Sequence, residues 1–305
     1  MDPLTHALSG LTASFCLPKQ TKRHHLFCII AAILPDVDNL SFLMGREIYL
    51  LYHRGFCHSF LGGIILSVLL TGSFRFFDKN LTWRRGIFLS YSLVCLHLFL
   101  DLITSFGTQL FSPVTNYRCA IPCVFIIDFI LTGVLISGVL LSFFRPKHKK
   151  VIAISCLCII LIYPAFGKMI QLIQLERAKT VLNQDYQSIH VVPAFFAPLY
   201  WKVIVEKASH YELRHLSIVS AIENYPSFIF KKANLNVLTE KTTHSLIQTY
   251  EWFADYPAEL ERDSNCQEII DLKFISANPW FHQFRDRTHI PFMLSICPDN
   301  QCILK

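Results

Sequence analysis

Charge is what this sequence has least of. Asp, Glu, Lys and Arg make up 16% of its 305 residues, against roughly 25% in soluble domains, and mean hydropathy is +0.40. The shortage is concentrated in residues 1–175, where long apolar runs exclude an ordinary soluble globule. Residues 176–305 have soluble composition. No basic–aromatic stripe and no Lys/Arg-rich tail occurs, which argues against a nucleic-acid partner. No Cys-x-x-Cys pair occurs among the eleven cysteines, so a zinc ribbon or a thioredoxin-like motif is not expected. Cys28, Cys95, Cys156 and Cys158 fall in apolar runs and read as small buried hydrophobes. Cys266, Cys297 and Cys302 make an odd number, and no pairing is assigned to them. The start, MDPLTHALSG, lacks the basic opening of a signal peptide and reads as retained. No internal repeat or low-complexity segment is present.

What is there is a set of apolar runs: 60–74, 86–103, 120–144 and 151–175. A full span takes about 20 residues, so these predict about four spanning helices. The shorter pieces 4–17 and 26–34 predict a partly inserted N-terminal helical hairpin. The expected fold is therefore an α-helical polytopic membrane domain over 1–175, followed by a small, mainly β soluble domain over 176–305. The short loops 18–25, 75–85 and 145–150 carry eleven Lys and Arg, against three (Arg46, Arg54, Arg118) in 1–5, 35–58 and 104–119. By the positive-inside rule the first set is cytoplasmic, which sends 176–305 to the extracytoplasmic side. In that domain Trp201, Val203 and Val205 alternate with Lys202, Ile204 and Glu206, a period of two. Residues 211–219 and 268–275 read as further strands and 244–256 as a short amphipathic helix, with Pro193, Pro198, Pro226, Pro257 and Pro279 as punctuation.

Several ionisable residues stand where lipid makes them costly. His97 and Asp101 are four apart, hence one turn apart on one helix face, and such residues at membrane depth point to function. Asp128 poses the same problem in 120–144. His6 opens the first helical piece, Asp36 and Asp38 follow Pro35, and His53 and His58 bracket Arg54 and Gly55 in HRGFCHS. With the orientation above, these eight residues converge on one layer at the outer end of the bundle. Four imidazoles and four carboxylates suit zinc or another divalent transition metal, enough for two ions or a third. Taken singly, each has a structural alternative: a helix–helix hydrogen bond for His97, a helix cap for Asp36 or Asp38, an interfacial loop for HRGFCHS. His24, His25 and His148 belong to basic runs. His190, His210, His215, His244, His282 and His289 have no ligand spacing and read as structural.

MDPLTHALSG, LPDVD, YHRGFCHS, HLFLDLITSFGTQL and VFIID, in that order, resemble the membrane-bound metal-dependent hydrolases of the YdjM-like family. The resemblance is strong over residues 1 to about 145 and continues weakly through VVPAFFAPLYWKVIV. It implies a distant likeness to zinc-dependent phospholipase C and to single-strand nucleases. It also implies that His6, Asp36, His53, His58, His97, Asp101 and Asp128 are metal ligands, with Asp38 binding the metal or supporting a ligand. Cys57 stands where the family usually has threonine and Phe129 where it has proline; neither change removes a ligand.

The expected activity is hydrolysis of a phosphoester or a lipid-linked ester at the outer face of a bacterial inner membrane. Two or more zinc ions (manganese being the alternative) would activate water and stabilise the leaving oxygen. Asp38 is the expected proton acceptor, and Arg54 or Arg118 would orient an anionic substrate as exposed cations. Gly55 is expected to make the turn between His53 and His58, and Gly107 one near Asp101. Two rival classes are a metal or proton transporter, which would need polar residues through the full bilayer depth, and a non-catalytic scaffold tied together by metal.

Overall fold

A computed structural model describes residues 1–18, 20–182, 186–219, 227–235, 245–260, 266–275, 290–297 and 302–304. Lys19, Pro226, His244, Pro279, His282 and His289 lie outside the described residues. Two compact units are present: Met1–Leu40 with Tyr52–Lys168, and Ser41–Leu51 with Met169–Lys305.

The first unit is helical, and short polar side chains start most of its helices. Helix α1 (Pro3–Ser14) begins at Asp2, whose carboxylate accepts the Thr5 N–H, with proline at the first turn where its missing N–H costs nothing. Helix α2 (Lys22–Ile33) is capped by Thr21, and at Leu34 the chain tightens into a 3-10 helix, Leu34–Met44, because Pro35 cannot supply the next α-helical N–H. Gly10 lets α1 and α2 approach: a Cβ there would come within 2.7 Å of the Ala32 methyl. Helix α3 (Arg46–Tyr52), which belongs to the second unit except for Tyr52, is followed in the chain by a 3-10 turn (Phe56–His58) and by α4 (Phe60–Phe77), capped by Ser59. Helix α5 (Trp83–Leu102) starts at Thr82, α6 (Phe129–Phe144) at Asp128, and α7 runs over Lys149–Val181.

Among the described residues four helical stretches are long and apolar enough to cross a membrane: Lys22–Met44, Phe60–Phe77, Trp83–Leu102 and Pro146–Val181. The number is as expected, but the membership is not. The second arm of the N-terminal hairpin is 23 residues long and qualifies as a span. The run 120–144 does not, because its helix begins only at Phe129 and has 16 residues. The apolar stretch before it lies extended along the end of α5, where Ile121 donates to the Leu102 carbonyl at 2.7 Å and Cys123 and Val124 to that of Ile103 at 3.1 Å. Apolarity there marks burial, and Pro122 helps keep it out of a helix.

The second unit carries two four-stranded antiparallel sheets. One is β1 (Ser188–Pro193), β2 (Tyr200–Glu206), β3 (His210–Ser217) and β4 (Ser227–Lys231); the other is β5 (Pro257–Leu260), β6 (Gln267–Asp271), β7 (Leu294–Ile296) and β8 (Cys302–Leu304). Helix α8 (Ser245–Phe253) stands in the chain between them. The alternation in β2 is real, but both of its faces are buried. Trp201, Val203 and Val205 pack with Ala178 of α7, whereas Ile204 joins Leu272, Ile275 and other residues of a second core. Lys202 is only 3% exposed and donates to the carbonyls of Leu272, Lys273 and Ile275 at 2.9, 2.6 and 2.8 Å. Burial pushes its amine down to about 7. The strand expected over 268–275 stops at Asp271, whose carboxylate caps a 3-10 turn, Leu272–Phe274. Cys266 and Cys297 form a disulfide, and Cys302 is a free thiol.

Candidate metal centre

His97 and Asp101 meet on α5 as their spacing requires, with His97 Nε2 3.5 Å from Asp101 Oδ2. The ring of His97 is oriented from behind: its Nδ1 donates to the Ala32 carbonyl at 2.7 Å. That carbonyl belongs to the last turn of α2, where helix geometry leaves acceptors open. His58 comes from the 3-10 turn after HRGF. Its Nδ1 donates to Asp38 Oδ2 at 2.8 Å, and its Nε2 lies 3.2 Å from Asp101 Oδ2, 3.5 Å from Asp36 Oδ1 and 3.0 Å from His97 Nε2.

These hydrogen bonds fix the tautomers. Both Nδ1 atoms carry protons, so both Nε2 atoms present lone pairs, and they face each other and two carboxylates. One ligand atom from each of Asp36, His58, His97 and Asp101 falls within 4.8 Å of all the others. Two imidazole nitrogens and two carboxylate oxygens, nearly all enclosed, form a nest of acceptors that only a cation satisfies. Nitrogen and carboxylate donors of this kind fit zinc and its neighbours. Without an ion the demand falls on a second proton at His58. Burial opposes that charge, but the Asp101, Asp36 and Asp38 carboxylates outweigh it and raise the group to about 10.

The other expected ligands divide. His6, fully buried on α1, stacks on His97 with ring centroids 3.7 Å apart and brings its Nε2 to 3.3 Å from Asp101 Oδ1. Neither of its ring nitrogens has a hydrogen-bond partner among the described residues, so it adjoins the group as a spare donor. Asp38 and His53 stand one layer back. Asp38 accepts from His53 Nδ1 at 2.9 Å, from His58 Nδ1 and from the Arg54 N–H at 3.0 Å. It holds imidazoles in place, which is the usual duty of a carboxylate behind a metal-bound histidine. Asp128 is outside the group. Its Oδ1 accepts the N–H groups of Ile130 and Leu131 at 2.9 and 2.8 Å, and its Oδ2 accepts the Tyr163 hydroxyl at 3.0 Å. The partner that sequence reasoning found missing is its own helix, together with α7.

Arg54 is the largest departure. The expectation of an exposed, substrate-facing cation is corrected: the side chain is 3% exposed, and Nη2 lies 3.0 Å from Asp101 Oδ1 while Nη1 donates to Thr104 Oγ1 at 2.9 Å. The Met1 amine also reaches Asp101. It is Arg54, at φ 58°, and not Gly55 that turns the chain in the left-handed conformation. Gly55 is needed for space, since a Cβ would approach the Tyr52 carbonyl to 2.7 Å. Gly107 does make its turn at positive φ, 86°. Arg54 and Arg118 lie over the Phe106 ring at 4.9 and 4.8 Å. Thr104, Phe106 and Gln109, whose N–H donates to the Arg54 carbonyl at 2.9 Å, escaped sequence reasoning, although all three lie within HLFLDLITSFGTQL. Cys57, next to His58 in the chain, is half-buried, and burial and then the Asp38 charge push its thiol up.

A family model described as YdjM inner membrane protein matches residues 1–173. The uncharacterized protein YfhP of Bacillus subtilis (strain 168) is 29% identical over 79 residues, which is 26% of this chain and 24% of that protein. The match thus spans about a quarter of that relative's length. No solved structure matches.

Proposed function

The chain belongs to the YdjM inner membrane protein family, and from that membership and the geometry we propose a multi-pass inner-membrane hydrolase that depends on a divalent metal. Its substrate is a phosphoester or a lipid-linked ester at the outer face. The observation that carries the reading is the ring of acceptors from Asp36, His58, His97 and Asp101, with both imidazoles locked as Nε2 lone-pair donors. Zinc fits this set best, and manganese is the alternative. A bound ion supplies Lewis acidity, which brings the pKa of water towards neutral and polarises an ester oxygen.

The residues of the chain divide the remaining tasks. His58, His97, Asp101 and Asp36 hold the ion, and His6 adds a fifth donor. Asp38 and the Ala32 carbonyl keep the two rings aimed. Asp36 is the most open of the four, at 15% side-chain exposure, so it marks the way in. Its Oδ2 has no hydrogen-bond partner among the described residues, which suits it to take a proton from attacking water in place of Asp38. Arg118, half-buried with its guanidinium on the Phe106 ring and carbonyl, is the second cation that would orient an anionic headgroup. Loops 18–25 and 75–85, at the far ends of the first three spans, carry seven Lys and Arg, which argues that this layer is extracytoplasmic.

Purified protein stripped by a chelator should lose hydrolysis of a phospholipid and phosphoester panel and regain it with zinc or manganese. His97→Ala should lose activity and metal together. A metal-loaded protein that turns over no member of the panel refutes the hydrolase reading. Collapse of the fold on chelation, with no activity at any metal level, would favour the metal-tied scaffold instead.

A further inference from the structure

We infer that the centre takes one divalent ion, and that Arg54 is the fixed positive charge that replaces a second. This rests on the metal reading above and narrows the sequence expectation of two or more ions. Three carboxylates surround the centre: Asp36, Asp38 and Asp101. The Arg54 guanidinium, 3.0 Å from Asp101 Oδ1, cancels one of those charges, and the Met1 amine reaches the same carboxylate. One divalent ion offsets the other two. A second ion would leave the layer at least doubly positive, and uncompensated charge in an enclosed site is strongly disfavoured.

Donor supply leads to the same count. Among the described residues only one group of three or more donor side chains converges. Asp101 divides its two oxygens: Oδ2 faces the His58 and His97 rings, and Oδ1 faces Arg54, the Met1 amine and His6. Asp38 is occupied by two imidazoles and a backbone N–H. Asp128 is occupied by its helix and Tyr163. His6 leans on His97 and Asp101, so it joins the same ion. Arg54 is also held more firmly than a passing counter-ion would be. Its N–H bonds Asp38, its carbonyl accepts from Gln109, and Nη1 bonds Thr104. A residue kept in the left-handed conformation at φ 58° without being glycine or asparagine is over-determined by its surroundings.

The test is zinc binding, read as stoichiometry and affinity on the full chain in detergent, with no activity assay involved. Wild type should bind one zinc per chain. Two would overturn the inference and leave the metal reading intact; none would overturn both. Arg54→Met removes the charge while keeping a long side chain, and should tighten zinc binding by at least about tenfold. Weaker or unchanged binding in a folded Arg54→Met protein would make Arg54 a mere brace and overturn its role as a charge. Arg54→Lys restores the charge and should bring affinity back towards wild type. If Arg54→Met does not fold, the wild-type count and the Arg54→Lys affinity decide; an affinity raised in the lysine variant as well would refute the idea.

Discussion

Changing Asp38 to asparagine removes a charge without removing volume, and it asks whether this carboxylate aims ligands or binds the ion. Asp38 Oδ2 accepts from His58 at 2.8 Å and from the Arg54 N–H at 3.0 Å, while Oδ1 accepts from His53 at 2.9 Å. An asparagine has one oxygen for these three donors. Its best orientation puts that oxygen where two donors converge, which preserves the His58 tautomer and turns the amide towards His53. His53 then flips tautomer, and His58 keeps its Nε2 lone pair but loses the charge that strengthened its basicity. Loss of such a supporting carboxylate typically costs about 10- to 100-fold in metal affinity, or about 1.4–2.8 kcal/mol. Because one good hydrogen bond survives, Asp38→Asn belongs near the lower end. Asp38→Ala frees both rings and belongs near the upper end. Competition against a chromophoric chelator measures the affinity, and elemental analysis the stoichiometry. An affinity within twofold of wild type for both variants would refute the supporting role. So would loss of the whole ion from Asp38→Asn with the fold intact, since that is the behaviour of a ligand.

Asp128→Ala should leave zinc stoichiometry unchanged and lower thermal stability by about 1–2 kcal/mol, the worth of a helix cap; loss of metal would restore Asp128 to the ligand set. Lys202→Met removes a donor shared by three buried carbonyls, of which only that of Leu272 keeps another among the described residues, the Ile275 N–H, and should destabilise the β domain by about 2 kcal/mol or more in denaturant unfolding; a change below about 1 kcal/mol would show that the carbonyls find other partners. The same residue gives a pH dependence. Its folded amine is pushed down to about 7 from an ordinary value of 10.5, so between those values the unfolded chain binds the proton and the folded chain does not. Stability should therefore rise with pH from about 7 towards 10.5, and this slope should vanish in Lys202→Met. An unchanged slope in the variant would assign it to other groups.

Residues whose chemistry is local were legible in the sequence. His97 and Asp101 share a helix face by spacing alone, and their presence in an apolar run advertised the site. Residues whose role depends on a partner far along the chain were not. Asp38 looks like Asp36 in LPDVD, and only the positions of His53 and His58 separate a brace from a member of the converging group. Asp128 looked unpartnered because capping by its own helix requires that helix to start at Phe129, which a continuous apolar run conceals. Arg54 read as exposed because arginine in a polar loop usually is; its burial follows from Asp101, 47 positions later. In the β domain, alternation located β2 but could not say that the face carrying Lys202 is covered as well.

The donors around His97 come from α1, the 3-10 helix after α2, the turn before α4 and the end of α5, so no fragment shorter than 6–101 contains them all. During membrane insertion the growing polypeptide has nowhere to hold an ion until Asp101 has emerged and the earlier segments have packed against α5. If the group holds the proposed ion, its capture would close loops of up to about a hundred residues at once, and a mis-inserted segment would leave the group unassembled.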